Sequence, residues 1–321
     1  MCGLAIARPP GSPKPTTILT VSRDAGARFK TVQSAVDAAS PSASDPVVIH
    51  LKPGVYKEHV TVPAEKVFIT FEGEDPATTV ITDDKNVFSL DAANTKLSTK
   101  ASSTLLIQAG HVSLLNLTIE NTAGNHGQAL ALFADADCTS YRNCRFLGWQ
   151  DTVRVERARH YFRDCLIQGH CDFIYGSGTA VFEKCNINCL ESGYITAAST
   201  PEDHPYGFVF FDCTVTTPDA RKRVFLGRPW RPYASVTFIR TELGNGILPE
   251  GWDNWRDPTK EKTARFAEFR NTGPGANPAK RAKWSKQLEK QDAEKITTES
   301  VFGISDASAL RKDGRWPVQT P

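Results

Sequence analysis

Two aspartates stand in settings where a carboxylate is costly unless it is partnered: Asp151 in Gly148-Trp-Gln-Asp-Thr152 and Asp172 in Asp172-Phe-Ile-Tyr-Gly176. Two carboxyls held close cannot both ionise comfortably, so one keeps a proton while the other stays anionic. A nearby arginine decides which, and Arg228 in Leu226-Gly-Arg-Pro-Trp230 is the candidate. Gln128, in Gly127-Gln-Ala-Leu-Ala-Leu132, and Gln150 are further polar residues among apolar or turn-forming neighbours. Each has a plainer reading when taken singly. An aspartate is often a turn former, Gln128 a satisfied core amide and Arg228 half of a structural ion pair. The seven histidines, His50, His59, His111, His126, His160, His170 and His204, are scattered, and no Gly-x-Ser-x-Gly occurs. A Ser-His-Asp hydrolase and a histidine metal site therefore have little support.

Positioning two aspartates 21 residues apart requires an element that repeats at that interval, and the cysteines mark one. Tyr141-Arg-Asn-Cys144-Arg-Phe146, Phe162-Arg-Asp-Cys165-Leu-Ile167, Phe182-Glu-Lys-Cys185-Asn-Ile187 and Phe210-Phe-Asp-Cys213-Thr-Val215 are copies of one unit, and Phe238-Ile-Arg-Thr241-Glu-Leu243 is a fifth with Thr for Cys. Successive copies are 21, 20, 28 and 28 residues apart. A period of this size, in short aromatic and β-branched units with alternation of two, predicts an all-β solenoid, a parallel β-helix. Leu114-Leu-Asn-Leu117 extends the repeat upstream, with Val67–Phe71 and Val47–Leu51 as earlier strands. Equal offset then puts Asp151 and Asp172 on one face of adjacent coils. Rungs about 4.8 Å apart also bring equivalent cysteines within disulfide reach. A ladder of free thiols and at least one bridge are both open, Cys165 with Cys185 being the favoured pair. Between Phe29 and Ala39, Val32, Ala35, Val36 and Ala39 make an apolar stripe, predicting a helix that caps the stack. Residues 1–25 are expected to be an N-terminal tail and 26–321 a single domain. Within it, 257–321 is a Lys/Glu/Ala-rich extension of loops and short helices lying along the solenoid.

The whole chain of 321 residues has 40% hydrophobic and 23% charged residues and a formal charge of +2. This excludes a disordered, collagenous or coiled-coil protein. No basic block supports nucleic-acid binding, and no apolar run is long enough to span a membrane. Met1–Arg8 is too short for the apolar core of a secretory signal, so the chain is cytosolic or any signal lies outside this sequence. Cys185 and Cys189 lack the second ligand pair of a zinc site.

With these motifs in order, and with Gly54-Val-Tyr-Lys-Glu58, Tyr194-Ile-Thr-Ala197, Asn271-Thr-Gly-Pro-Gly-Ala276 and Gly314-Arg-Trp316, the sequence resembles the pectin methylesterases (pectinesterases) from roughly Gly26 to Trp316. The resemblance implies a right-handed, single-stranded parallel β-helix that removes methyl esters from the galacturonate units of pectin (homogalacturonan) and releases methanol. It implies no cofactor or metal, a monomer, and a secreted location. It makes Asp172 the nucleophile, Asp151 the general acid and then base, Gln128 and Gln150 the oxyanion donors, and Arg228 the partner of Asp172. Trp230, Phe173, Trp149 and Tyr194 become substrate-contacting aromatics. Two departures are aromatic swaps: Trp149 stands where the family usually has Tyr, and Tyr175 where Phe is usual. Asn116-Leu-Thr118 is a glycosylation sequon in a predicted strand. Competing readings are a polygalacturonase with carboxylates spaced to admit water, a calcium-dependent lyase, a catalytically silent carbohydrate-binding solenoid, and an esterase for another acyl substrate. No acidic cluster beyond Asp83-Asp84 supports the lyase, and the glutamines suit an ester oxyanion better than a glycosidic bond.

Overall fold

The repeat copies lie in register. In the computed structural model, which describes residues 17–217, 221, 223–314 and 316, Tyr141 pairs with Phe162, Phe162 with Phe182, Phe182 with Phe210 and Phe210 with Phe238, all parallel. Their rings stack inside the solenoid with centroids 4.3, 4.7, 4.4 and 4.3 Å apart. Upstream, Leu114, Phe71 and Ile49 continue the same line. These strands belong to an eleven-stranded parallel sheet running from Thr17–Val21 to Lys286–Gln287.

Two further ladders complete each coil. One carries Gly54–Lys57, Thr79–Asp83, Thr118–Asn121 and Arg145–Leu147. The other carries Val60–Val62, Leu105–Ile107, Leu132–Asp135 and Val153–Glu156. The long strands Leu166–Gly176 and Asn186–Ala198 run through both ladders, with register shifts between Gly169 and Ile174. The result is an all-β parallel β-helix whose interior is the main apolar core.

The corner after the first sheet is one left-handed residue per coil: Asn116, Asn143, Asp164, Lys184, Asp212, Arg240 and Arg270, with φ between 47 and 55°. Asn and Asp tolerate this region best, and Asn143 Nδ2 donates to Asn116 Oδ1 at 2.9 Å. Asn116 is therefore a corner residue rather than a strand residue. The next residue in each copy points inward, so Cys144, Cys165, Cys185 and Cys213 are buried. The seven described cysteines are free thiols, and the favoured Cys165–Cys185 bridge is not formed. The reason lies in their direction: Cys144 and Cys165 donate to the carbonyls of Leu114 and Tyr141 at 3.4 Å, and Cys213 to that of Phe182 at 3.3 Å. These three thiols turn toward backbone oxygen of the preceding coil, and Cys185 donates to Glu183 O of its own coil at 3.5 Å.

At one end, the helix Val32–Ala38 buries Val32, Ala35 and Val36 against the first coil. Thr31 caps it by accepting from Ser34 N, and the Glu58 carboxylate accepts from Val32 N and Gln33 N at 2.8 and 2.9 Å. The expected tail is shorter than 1–25, because Thr17–Val21 pairs with Val47–Leu51 as the first strand; the rest of that expectation falls on residues 1–16, outside the described ones.

The C-terminal extension also holds more strand than anticipated. Arg265–Phe269 and Lys286–Gln287 add to the first sheet before Lys290–Ala293, Thr298–Phe302 and Ser308–Asp313 form short helices. Val301, Phe302, Ala307, Leu310 and Trp316 cover the outward side chains Tyr161, Val181, Val209 and Ile239. Trp316 Nε1 donates to Thr139 O at 2.9 Å. In the register of the stacked rings Glu268 takes the place opposite Phe238, while the interior aromatics continue through Trp252, Phe266 and Trp284. Glu268 is 2% exposed and accepts from Arg281 Nε at 2.8 Å and Trp252 Nε1 at 3.2 Å.

Candidate active site

The site forms on the third face, where strands enter Val153–Glu156, the second half of Leu166–Gly176 and Val224–Pro229. Gln128, Gln150 and Cys171 pair in parallel on three successive coils. One residue further, Asp151 and Asp172 therefore sit on neighbouring rungs, as the equal offset predicts. Both aspartates are left-handed, with φ of 64° and 50°, a backbone state that costs energy and is retained where surroundings over-determine it. Gly176 helps set the strand: at φ 124°, a Cβ there would lie 2.0 Å from Val155 O.

Asp151 and Asp172 are 8% and 7% exposed, and their environments differ. Arg228 bonds both oxygens of Asp172, Nε to Oδ1 at 2.9 Å and Nη2 to Oδ2 at 2.6 Å. Arg228 is itself clamped, its guanidinium 3.8 Å from the Tyr194 ring centroid and 3.7 Å from that of Trp255. Burial pushes the Asp172 carboxyl up and the two Arg228 bonds pull it back. Asp151 has no such fork. Burial first, then the Asp172 charge, pushes it up to about 7. Of the two, Asp151 is therefore the carboxyl that holds a proton more readily, and Asp172 the one favoured as the anion.

Gln128 and Gln150 are half-buried. They occupy the register position just before that of the aspartates, Gln150 directly preceding Asp151 and Gln128 one coil earlier. Trp230 and Tyr194 are half-exposed beside the site, Trp230 at 5.9 Å from the Tyr175 ring and Tyr194 stacked on Phe225 at 5.3 Å. Trp149 is half-exposed against His170, with ring centroids 5.8 Å apart. Phe173 is a correction: it is fully buried in the solenoid core. It directly follows Asp172, so it turns inward while the carboxylate faces out, and its ring is out of reach of anything on the surface.

Three site residues were not singled out from the sequence. Trp255 reaches Arg228 from the Gly251-Trp-Asp-Asn-Trp255 turn, whose two tryptophans were the available signal. Arg154 lies over the Phe133, Tyr175 and Trp230 rings at 4.7, 5.3 and 5.6 Å and pairs with Glu156. Cys171 is a half-buried thiol 3.7 Å from Arg228 Nη2; burial, then the Asp172 charge, pushes it up to about 12. Among the described residues no three His, Cys, Asp or Glu side chains group as metal ligands, and no helix is long and apolar enough to cross a membrane.

Residues 18–305 match the family model described as Pectinesterase. The chain is 35% identical to Pectinesterase 31 of Arabidopsis thaliana over 87% of its own length and 90% of the relative's. It is 36% identical to Pectinesterase 2 of Olea europaea, over 86% and 76%. Among solved structures it is similar to a pectin methylesterase from carrot, with a TM-score of 0.85 and 29% identity over 95% of this chain and 98% of that one. It is also similar to a pectin methylesterase in complex with a hexasaccharide, with a TM-score of 0.81 and 29% identity over 96% and 100%. The chain belongs to the pectinesterase family.

Proposed function

We propose that the protein hydrolyses methyl esters of galacturonate in pectin, acting outside the cell on the polymer. The observation that carries this reading is the pairing of an arginine-forked Asp172 with a buried Asp151 one rung away that has no such fork. Asp172, as the anion, attacks the ester carbonyl carbon. Gln128 and Gln150 donate to the oxyanion that forms, a contribution of roughly 3 kcal/mol per donor. Asp151 passes its proton to the departing methoxide, which leaves as methanol, and the acyl-enzyme is an anhydride. Asp151, now a carboxylate, takes a proton from water as that water opens the anhydride. Free Asp172 and the galacturonate carboxyl are the products. Half-exposed Trp230, Tyr194 and Trp149 line the same face and suit the apolar faces of sugar rings.

The test incubates the protein with highly methylated pectin and follows methanol, reducing ends and unsaturated product together. Methanol without chain cleavage is expected. Reducing ends without methanol would make it a glycosidase, and unsaturated ends a lyase. Asp172→Asn is expected to lower kcat by about 10⁴-fold or more, with pectin binding retained.

A further inference from the structure

We infer that Tyr175 is a positioning residue for the general acid: its hydroxyl waits unbonded in the resting site and donates a hydrogen bond to Asp151 when that carboxyl loses its proton. The inference rests on the general-acid reading of Asp151. It starts from an anomaly in the site: Tyr175 is 5% exposed, yet its buried oxygen has no hydrogen-bond partner in the structure. A phenol stripped of water and left unbonded is a desolvation cost that phenylalanine would avoid.

The ring cannot swing away to find solvent. It packs with Leu106, Leu130, Phe133 and Ala197, meets Trp230 edge-on at 5.9 Å and lies under the Arg154 guanidinium at 5.3 Å. Tyr175 is paired in register with Arg154, three residues beyond Asp151, and its hydroxyl lies between the Asp151 carboxyl and the Arg154 guanidinium, the two charged groups that act on it. The charged groups facing Asp151 are Asp172, which opposes its ionisation, and Arg154 and Arg228, which favour it; Tyr175 is the neutral donor among them. Burial, and next the Asp151 charge, hold the phenol well above its usual range, so it keeps its own proton and serves only as a donor.

The orphan state fits the catalytic cycle. While Asp151 is neutral, its one proton is needed at the ester oxygen. After transfer to methoxide, Asp151 is an anion in a dry site beside the acyl-enzyme, and the Tyr175 O–H is the group placed to meet it. The bond makes Asp151 a stronger acid in the first step, and it must be broken again when Asp151 takes a proton from water.

Tyr175→Phe removes one oxygen and leaves the ring. The alkaline limb of the kcat/KM profile, where Asp151 loses its proton, is expected to move up by about one pH unit. The acid limb, set by Asp172, should stay in place. At the optimum kcat should fall roughly threefold to tenfold, with KM within about twofold. Infrared difference titration of the protonated Asp151 carbonyl band should show the same upward shift without turnover. An alkaline limb and a carbonyl titration that coincide with the wild type, or that move down, would overturn the inference. Asp151→Asn separates the two readings. If it is inactive and the Tyr175→Phe profile is unshifted, only the role of Tyr175 fails; if it turns over like the wild type, the general-acid reading fails first.

Discussion

Asp151 and Asp172 are both buried and both left-handed, and they differ in what holds their oxygens. Arg228 occupies both oxygens of Asp172, so Asp151 must hold its proton in a low-dielectric site. That proton makes stability depend on pH. The Asp151 carboxyl is raised from 3.8 to about 7, so between these values the folded chain binds a proton that the unfolded chain has released. Stability from this group is therefore lost as pH rises from about 4 to 7, and stays lost above that. Asp151→Asn keeps the neutral shape, so its unfolding midpoint should exceed the wild type's at pH 8 by the equivalent of about 4 kcal/mol and converge with it near pH 4; calorimetry at both values checks this. The aspartate pair was legible in the sequence because equal offset in a solenoid means equal position. Phe173 was not, because its direction follows from the left-handed turn at Asp172 rather than from residue type. Trp255 was hidden for a similar reason: its contact with Arg228 depends on where the turn after Gly251 folds back.

Each of the five repeat coils is held by one inward ring, one inward thiol or hydroxyl and one left-handed corner. The stacked rings do the larger share of packing. Phe182 has neighbours on both sides, at 4.7 and 4.4 Å, and is fully buried. Phe182→Ala should leave a cavity that neighbouring rungs, tied by their ladders, cannot close, costing about 3–5 kcal/mol in urea unfolding. The period and inward ring of this element were readable from five sequence copies. The fate of the cysteines was not, because rung spacing permits a bridge and only the rotamer decides between a neighbouring sulfur and a backbone carbonyl. The strands Arg265–Phe269 and Lys286–Gln287 were also hidden, because Glu268 stands where the copies have an aromatic and so breaks the pattern that betrays the others.

At the scale of the molecule, every coil but the terminal ones is covered on both flanks, and the ends need separate solutions. The first coil is closed by the helix Val32–Ala38; the outer flank of the first sheet is closed by the short C-terminal helices through Phe302, Leu310 and Trp316. Glu268 and Arg281 close the far end, 3% and 4% exposed at their side chains. Glu268→Ala strands the Arg281 guanidinium without its carboxylate and should cost about 3–5 kcal/mol, seen as a lower unfolding midpoint with unchanged esterase activity per folded molecule. The same pair has a consequence for crowded solutions. A stacked tube exposes unsatisfied backbone at its tip, which invites a second tube to dock end-on and grow a fibre. Here the pair is followed only by Lys286–Gln287, an exposed two-residue strand headed by a lysine, so a newcomer finds almost no edge to join and elongation is refused at the tip itself.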